Sequence, residues 1–193
     1  MSDLKQAIKQ NYLKCAKEPS YFINQFCTIQ HPQRGKIKFK LYPFQYDVLK
    51  EYQAHDYNVI LKSRQLGIST LSAAYSLWMM LFQNDKNILV IATTKDTAKN
   101  LITKVRVMYE ALPAWLKTAI VENNKLSLVF KNGSQIKAIA SNESAGRSEA
   151  LSLLILDEAA FIEKIDVIWT AAQQTLATGG RCLAISTPNG VGN

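Results

Sequence analysis

The feature that most constrains the fold is a set of four short, uninterrupted apolar runs. They occupy residues 59–61, 88–92, 153–156 and 182–185. Stretches with helical character separate them, at about residues 69–83, 95–111 and 162–177. A strand buried on both faces reads as a continuous apolar run, whereas a strand with one solvent-exposed face alternates. The pattern therefore predicts an α/β fold whose mostly parallel sheet is flanked by helices.

A β-hairpin is predicted to interrupt this alternation. Residues 126–130 and 135–140 both favour strands, and the turn between them contains Asn132 and Gly133. An Asn-Gly pair readily adopts the positive φ angles that a tight hairpin turn needs. The next residues, 141–150, are small and polar. We therefore expect one inserted antiparallel hairpin, followed by a surface loop that leads into the strand at 153–156.

The first 40 residues have a different pattern. Apolar residues recur at helical spacing over residues 1–20, and residues 28–40 contain Pro32, Gly35 and four basic side chains. We predict a helix for the first segment, and a loop followed by a short strand at 37–39 for the second. A further helix begins near Pro43, because proline is tolerated in a first helical turn. The expected organisation is an N-terminal helix and basic loop (1–40) and a core domain (41–193).

The chain is basic, with a formal net charge of +8 and a pI of about 9.4. Such a balance favours a polyanionic partner such as nucleic acid. For Lys104, Lys131 and Lys137 we expect a solvated face, with contact to DNA as the alternative.

Cysteine and histidine are sparse. Cys15, Cys27 and Cys182 have no short metal-binding spacing, and His31 and His55 are the two histidines. This usage favours a reducing compartment and small buried thiols rather than a zinc site. No apolar run has the length of a membrane span, and the polar first residues do not resemble a signal peptide.

Residues 62–70 have the character of a phosphate-binding loop. In such a loop a strand is followed by GxxxxGK[ST] and then by a helix, and backbone N–H groups at the helix start hold phosphate oxygens. With Gly67 in the second glycine position and Ser69 in the hydroxyl position, Ile68 replaces the lysine and Lys62 replaces the first glycine. The candidate nucleotide-binding residues here are Lys62, Ser63, Arg64, Gln65, Leu66, Gly67, Ile68, Ser69 and Thr70.

The isoleucine at position 68 leaves the loop without its usual cation. An aliphatic side chain cannot stabilise phosphate charge, so another cation must do so. Lys62 and Arg64 are the candidates within the loop. The alternative is an ordinary strand-to-helix turn with a single glycine.

Two carboxylates, Asp157 and Glu158, directly follow the apolar run at 153–156. Ligands bind at the carboxyl ends of the strands in open α/β sheets. Asp157 together with the hydroxyl of Ser69 can hold Mg²⁺, and Glu158 can orient and deprotonate an attacking water. The alternative is a solvated strand end.

The last apolar run ends in Ser186, Thr187 and Pro188. Hydroxyl groups at the tip of a neighbouring strand can sense the γ-phosphate and pass its loss to a moving segment. A simple strand-terminating turn is the alternative.

Together these segments resemble the ATPase domain of the terminase large subunit of tailed bacteriophages, a DNA-packaging motor. The loop from Ser63 to Gly67 is similar to the family's SRQLGK[ST] form, from which Ile68 departs. Some members carry the lysine at the head of the loop, and Lys62 matches that variant. The Asp157-Glu158-Ala159-Ala160-Phe161 segment resembles the family's Walker B motif with its catalytic glutamate, and Ser186-Thr187-Pro188 is similar to its coupling motif.

The resemblance implies roles for four further side chains. Phe44 and Gln45 resemble the element that reads adenine, and the alternative for Gln45 is a glutamine on the helix surface. Arg147 stands where some terminases carry an arginine finger that acts on a neighbouring subunit, and the alternative is a solvated charge in a loop. Arg64 would either stabilise transition-state charge or pair with Glu158 in an idle state.

The family resemblance also implies a fold and a biological setting. The fold would be a P-loop NTPase of the additional-strand catalytic-glutamate type, in which the strand at 182–186 lies between those at 58–62 and 152–157. ATP and Mg²⁺ would be the cofactors, and double-stranded DNA the molecule moved. The full-length protein would meet the portal and the small terminase subunit, as a homo-oligomeric ring. It would act in the cytoplasm of the infected bacterial host, transiently at the procapsid portal, with no membrane.

Two other functions fit the same residues. A helicase-like DNA translocase shares the glutamine element and the DEAx sequence, but it needs a second motor domain. A catalytically weak nucleotide- or DNA-binding fragment would explain Ile68 as a sign of lost hydrolysis. Because the sequence stops directly after the coupling motif, we expect a truncated ATPase core without nuclease activity.

Overall fold

The computed structural model describes residues 2–141 and 149–190. The helices are α1 (Ser2–Lys17), α2 (Pro19–Phe26), α3 (Pro43–Ala54), α4 (Ile68–Phe82), α5 (Lys95–Glu110) and α6 (Ile165–Leu176). The strands are β1 (Thr28–His31), β2 (Gly35–Lys38), β3 (Tyr57–Leu61), β4 (Asn87–Ala92), β5 (Ile120–Asn123), β6 (Ser127–Phe130), β7 (Gln135–Ala140), β8 (Leu153–Asp157) and β9 (Arg181–Ser186). Within these residues, no helix combines the length and the apolar character needed to cross a membrane.

The core of the molecule is a seven-stranded sheet with the order β3-β9-β8-β4-β7-β6-β5. The first five strands in this order run parallel to one another. Strand β9 pairs with β3 on one side and with β8 on the other. The predicted insertion of the last strand between the phosphate-loop strand and the acidic strand is therefore confirmed.

Helices cover both faces of this sheet, which explains the continuous apolar runs. On β8, Leu153 and Ile155 face the core formed with α4 and α5. The alternate residues Leu154 and Leu156 face a second core, formed with α6. Because both faces of the strand are buried, every position in it is apolar until Asp157. The predicted fold class is confirmed.

The predicted hairpin forms, but it is part of the main sheet. Strands β6 and β7 pair antiparallel, and β7 also pairs parallel with β4 over its whole length. Strand β5 adds one more antiparallel strand beyond β6. The sequence did not predict β5, because its residues Ile120, Val121, Glu122 and Asn123 are mostly exposed and carry no clear alternation.

The prediction for the N-terminal segment was partly wrong. The expected single helix is two helices, because α1 ends at Lys17 and Pro19 begins α2. The expected loop and single strand are a two-stranded hairpin of β1 and β2. Its turn is held by His31, whose Nδ1 accepts the N–H groups of Gln33 and Arg34, both at 3.2 Å.

This N-terminal segment packs on α4. The indole N–H of Trp78 donates to the Cys15 carbonyl at 2.8 Å. Tyr12 and Phe22 both make edge-on ring contacts with Phe82, with centroids 5.3 and 5.4 Å apart. Residues of α1 and α2 thus share one apolar core with the sheet. The division of the chain at residue 40 stays a prediction.

The three cysteines are buried free thiols, as expected. Burial raises the pKa of Cys15 and of Cys182 to about 12. It raises the pKa of Cys27 as well, against a smaller opposing effect of Lys38. The thiols are therefore protonated at neutral pH and pack as small apolar side chains.

Candidate active site

Three strand ends meet at one edge of the sheet. Strand β9 lies between β3 and β8, with Leu61 in register with Ser186, and Asp157 in register with Ile185. Just beyond β3, the N–H of Lys62 donates to the Ser186 carbonyl at 2.9 Å. The phosphate-loop segment, the two carboxylates and the Ser186-Thr187 segment are therefore neighbours, at the position where open α/β sheets bind ligands.

The loop between β3 and α4 turns sharply at two positions. Gln65 and Gly67 both have left-handed backbone angles, with φ of 64° and 72°. A β-carbon on Gly67 would lie 2.9 Å from Nε2 of Gln45, so this position needs glycine for its space as well as its φ. The next residue, Ile68, begins α4 and is 2% exposed. The side chain in the usual lysine position is thus part of the apolar core.

Gln45 fastens α3 to the phosphate loop. Its Nε2 donates to the Leu66 carbonyl at 2.9 Å, and its Oε1 accepts the N–H of Tyr42 at 3.1 Å. The side chain is 1% exposed. Both polar atoms already have partners within the protein, which makes Gln45 a structural bridge here. Its contact with adenine stays a prediction.

Two aromatic rings lie beside this bridge. Tyr42 and Phe44 stack with centroids 5.9 Å apart and an angle of 6° between the rings, and they are 64% and 39% exposed. A planar apolar ligand could stack on such a pair.

Ser69, in the first turn of α4, and Asp157, at the end of β8, form a hydrogen-bonded oxygen pair. The Ser69 hydroxyl donates to Oδ1 of Asp157 at 2.9 Å, and Asp157 is 6% exposed. Within residues 2–141 and 149–190, no cluster of three or more His, Cys, Asp or Glu side chains could hold a metal ion by itself. Two hard oxygen ligands at this edge fit Mg²⁺, which usually takes its other ligands from phosphates and water.

Both carboxylate oxygens of Glu158 have partners. Oε1 accepts from Nζ of Lys62 at 2.7 Å, and Oε2 accepts from the N–H and the hydroxyl of Thr187, both at 3.0 Å. Burial by itself would raise the pKa of Glu158, but the hydrogen bonds from Lys62 and Thr187 and the charge of Lys62 outweigh it. The pKa of Glu158 therefore lies below the ordinary glutamate value, and the side chain is ionised at neutral pH.

The pairing of Lys62 bears on both loop cations. We expected Lys62 to hold phosphates and weighed a pair between Arg64 and Glu158. In the structure, Glu158 pairs with Lys62 instead of Arg64, and the Lys62 side chain is 9% exposed. Arg64 is exposed and makes no ion pair within the described part of the chain. Lys62 is the one that pairs because it stands directly at the end of β3, where only β9 separates it from β8.

These groups surround an open cleft of about 480 Å³. Its lining residues are Lys62, Arg64, Gln65, Thr93, Glu158, Phe161 and Thr187. We had not predicted a place in the site for Thr93. Its position directly after β4 could have indicated it, because β4 ends at the same edge of the sheet as β8.

A family model described as "Terminase large subunit, T4likevirus-type, N-terminal" matches residues 59–193 of this chain. The chain belongs to this family. The match confirms the resemblance to terminases that the loop, the acidic pair and the Ser186-Thr187-Pro188 segment indicated.

Solved terminase structures have the same fold. The large terminase of bacteriophage HK97 is 21% identical with a TM-score of 0.70, over 89% of this chain and 37% of that one. The large terminase ATPase domain of Thermus phage P74-26 is 23% identical with a TM-score of 0.64, over 80% and 67%. The large terminase of a further thermophilic bacteriophage, in complex with ADP, is 16% identical with a TM-score of 0.57, over 78% and 39%. This terminase domain thus spans little more than a third of the HK97 chain.

The Ser186-Thr187-Pro188 segment of this terminase domain is tied to the residues after Glu158. The Ser186 hydroxyl accepts the N–H of Ala160 at 3.1 Å and donates to the Thr187 carbonyl at 2.8 Å. Thr187 in turn holds Glu158. A shift of Glu158 would therefore reach this segment through two direct contacts, while its coupling role stays a prediction.

The predictions for Arg147 and for three lysines have different outcomes. Arg147 lies outside the described residues. Lys131 and Lys137 are exposed, but Lys104 is only partly exposed, so the expectation of a solvated face was wrong for Lys104. Its helix α5 packs against α4, and Lys104 lines a small cavity together with Thr70 at the start of α4.

Proposed function

We propose that this terminase domain hydrolyses ATP with the help of Mg²⁺ and drives the movement of double-stranded DNA. The observation that carries the proposal is the position of Glu158. This ionised carboxylate lies directly after Asp157, faces the cleft, and borders the loop that begins at Lys62. A carboxylate beside a phosphate site can orient a water molecule and accept its proton.

Other residues of the site would bind the phosphates, the metal ion and the adenine base. Backbone N–H groups of residues 63–69 and the start of α4 favour phosphate oxygens. Ser69 and Asp157 would hold Mg²⁺, which when bound offsets phosphate charge. Arg64 is free to turn toward the phosphates from the cleft wall. The exposed ring of Phe44 offers a surface for the adenine base.

Lys62 would change partners during the reaction. In this structure its ammonium group binds Glu158, and that contact occupies the carboxylate that would activate water. The phosphates of ATP carry more negative charge than one carboxylate and would attract Lys62 away. Glu158 would then be free to hold a water, so the same step binds the nucleotide and activates the base.

The test compares ATP hydrolysis and nucleotide binding in three variants. Glu158→Gln keeps the shape of the side chain but cannot accept a proton, so we expect kcat to fall by about 10²- to 10⁴-fold with nucleotide binding retained. Lys62→Met should weaken nucleotide binding. Lys131→Met, a charge change in the β6–β7 turn at the opposite edge of the sheet, is the matched control. Hydrolysis that Glu158→Gln leaves intact would remove Glu158 from the mechanism.

The setting in a packaging motor is part of the same proposal. We infer that the full-length protein works as a homo-oligomeric ring on the portal, with the small terminase subunit, in the cytoplasm of the infected host. In that ring Arg147 would reach a neighbouring site, where such fingers contribute about 10³–10⁵ in rate. Contacts to DNA would be mostly to phosphates, so the affinity should fall steeply with salt.

One observation favours a second candidate function, a domain that binds nucleotide with little turnover. Ile68 removes the usual loop lysine, and the remaining loop lysine is held by Glu158. In that case the wild-type protein would bind nucleotide but hydrolyse it no faster than Glu158→Gln does. The same comparison of variants therefore separates the two functions.

A further inference from the structure

The β1–β2 hairpin has basic side chains on one exposed face. Within β2, Lys36 and Lys38 are exposed, while Ile37 between them is partly buried. Ile37 lies opposite Ile29, and Ile29 packs against the main core. Because successive residues of a strand point to opposite sides, both lysines lie on the side that faces away from the core. One face of the hairpin therefore anchors it, and the other face is open to solvent.

The register of the hairpin adds polar side chains to this outer face. Lys36 lies opposite Gln30, and Lys38 lies opposite Thr28. Directly paired residues of antiparallel strands have their side chains on the same face. Arg34, in the turn between the strands, is exposed as well. We call this outer face of the hairpin, with Arg34, Lys36 and Lys38, the basic face.

Two lysines of this region are held by the end of α2. Nζ of Lys38 donates to the Gln25 carbonyl at 3.1 Å. Nζ of Lys40, just beyond β2, donates to the Asn24 carbonyl at 3.2 Å. Both carbonyls belong to the last turn of α2, where helical partners are missing. An ammonium group has three N–H donors, so each lysine keeps donors for a ligand while its charge is held near the helix end.

The surroundings of the basic face contain little negative charge. Residues 19–46 include four basic side chains and no aspartate or glutamate, so half of the formal net charge of +8 lies in this segment. Helix α2, which packs against β2, has no charged residue. None of the four basic side chains forms an ion pair with any residue of 2–141 or 149–190. Like charges grouped in this way, without counter-charges, favour the binding of a polyanion.

We propose that the basic face is a binding site for the phosphate backbone of double-stranded DNA, which rests on the proposed movement of DNA by this domain and gives that contact a surface. Lysine, arginine, glutamine and threonine are among the side chains that contact phosphates without reading the bases. A lipid surface would instead require exposed apolar side chains that insert between the head groups, and β1 and β2 have no exposed large apolar side chain.

The hairpin also adjoins the helix that follows the phosphate loop. Ile29 and Gln30 of β1 line a small cavity of about 140 Å³ together with Thr70, in the first turn of α4. Helix α5 lines the same cavity and packs against both β1 and α4. A movement at the start of α4 would therefore reach the hairpin through shared contacts. This position suits a DNA contact that has to respond to the nucleotide.

The experiment measures the binding of a fluorescent DNA duplex of random sequence by anisotropy, over a range of salt concentrations. Lys36→Gln/Lys38→Gln removes two charges from the basic face. Each phosphate contact contributes about 0.9 to the slope of log affinity against log salt concentration. We therefore expect the slope to become shallower by about two, and the affinity at about 0.1 M salt to fall by about tenfold or more.

The matched control removes two charges from a different hairpin. Lys131→Gln/Lys137→Gln changes two exposed lysines of the β6–β7 hairpin, and it should leave the slope and the affinity close to wild type. If Lys38→Gln disturbs the end of α2, Arg34→Gln/Lys36→Gln replaces it, because neither side chain bonds to that helix. Equal losses in the variant and the control, or an unchanged affinity in the basic-face variant, overturn the inference.

Two other polyanions are measured in parallel, vesicles of phosphatidylcholine with phosphatidylserine and poly-glutamate. We expect Lys36→Gln/Lys38→Gln to lose more affinity for DNA than for either of them. If the variant loses affinity for the vesicles or for poly-glutamate and keeps its affinity for DNA, the basic face binds a membrane or an acidic protein, and the DNA assignment is wrong.

Failure of the proposed ATP hydrolysis would look different. Hydrolysis without DNA should be the same in Lys36→Gln/Lys38→Gln as in wild type, since neither lysine lines the cleft. If Glu158→Gln leaves hydrolysis intact while the basic-face variant loses DNA, the role of Glu158 fails and the basic face stands. If Glu158→Gln behaves as proposed and the basic-face variant binds DNA like wild type, only the basic face is wrong.

Discussion

At the scale of single residues, the carboxylate of Glu158 is subject to opposing influences. Burial favours its protonated form, while Lys62 and Thr187 favour its charged form and prevail. The side chain sits on a backbone with φ of 55°, an unusual conformation for a residue other than glycine. The two bonds to Thr187 and the ion pair with Lys62 hold it there. The same contacts make the stability of the domain depend on pH.

We predict that the ion pair stabilises the fold at neutral pH and is lost on acidification. A group whose folded pKa is lowered contributes stability above its unfolded pKa, about 4.3 for glutamate, and loses that contribution as the pH falls through the folded pKa. Wild type should therefore exceed Glu158→Gln in free energy of unfolding at pH 7, and the difference should shrink below about pH 4. Urea unfolding of both proteins across this range measures it. A difference that is constant with pH would contradict the ion pair.

The sequence could predict which residues meet at the site, but not how they pair. Ser69 and Asp157 were brought together correctly because strand ends and helix starts converge at one edge of a parallel sheet. Glu158 forms its ion pair with Lys62 rather than with Arg64. Which of the two cations pairs depends on the strand order and on the reach of the side chains, and the spacing of residues in the sequence specifies neither. The partial burial of Lys104 depends on how α5 packs against α4, and the spacing of residues in the sequence does not specify this packing either.

At the scale of elements, α3 and the phosphate loop behave as one unit because of Gln45. Its two hydrogen bonds join the start of the helix to the loop carbonyl of Leu66. The left-handed Gly67 packs against the same amide. The shape of the loop is therefore set partly by a helix that comes before β3 in the chain.

We predict that Gln45→Leu destabilises the domain by about 1–3 kcal/mol, because the Tyr42 N–H and the Leu66 carbonyl both lose their hydrogen bonds to the buried Gln45 side chain. Nucleotide affinity should fall as well, since the loop loses its brace. The exposed Gln53→Leu on the same helix is the matched control and should leave both quantities nearly unchanged. Urea unfolding and nucleotide titration of the two variants check this. Equal effects of the two substitutions would refute the bridge.

Element prediction from sequence succeeded where burial imposes a pattern. The runs in β4, β8 and β9 are continuous because both faces of these strands are covered. Strand β5 was missed, since its position at the far edge leaves three of its four residues exposed. For the β1–β2 hairpin the sequence predicts a loop and one short strand, because the basic residues and the turn conceal the first of its two strands.

At the scale of the whole molecule, the sheet ends in a strand with a large apolar surface. Tyr57, Val59 and Leu61 of β3 are 56%, 88% and 72% exposed, and they lie on one face of the strand. In the described chain, β3 pairs with β9 alone, so its other backbone edge is open. An exposed apolar edge strand promotes association between molecules.

We predict that Val59→Lys reduces self-association of this domain without lowering its stability. The side chain is almost fully exposed, so a lysine costs no core packing, while its charge opposes edge-to-edge contact. Sedimentation velocity over a range of protein concentrations measures the association, and thermal unfolding measures the stability. If the wild-type domain remains monomeric at every concentration, the apolar edge has no such effect.

The three buried thiols can report local opening of the domain through their reactivity. A protonated, enclosed sulfhydryl reacts with an alkylating reagent only when its surroundings open. Cys15 in α1, Cys27 between α2 and β1, and Cys182 in β9 monitor three separate regions of the chain. The alkylation rate of each cysteine, measured by mass spectrometry with and without nucleotide, would therefore report the rate of local opening in the N-terminal helices and in the central sheet separately. No label has to be introduced.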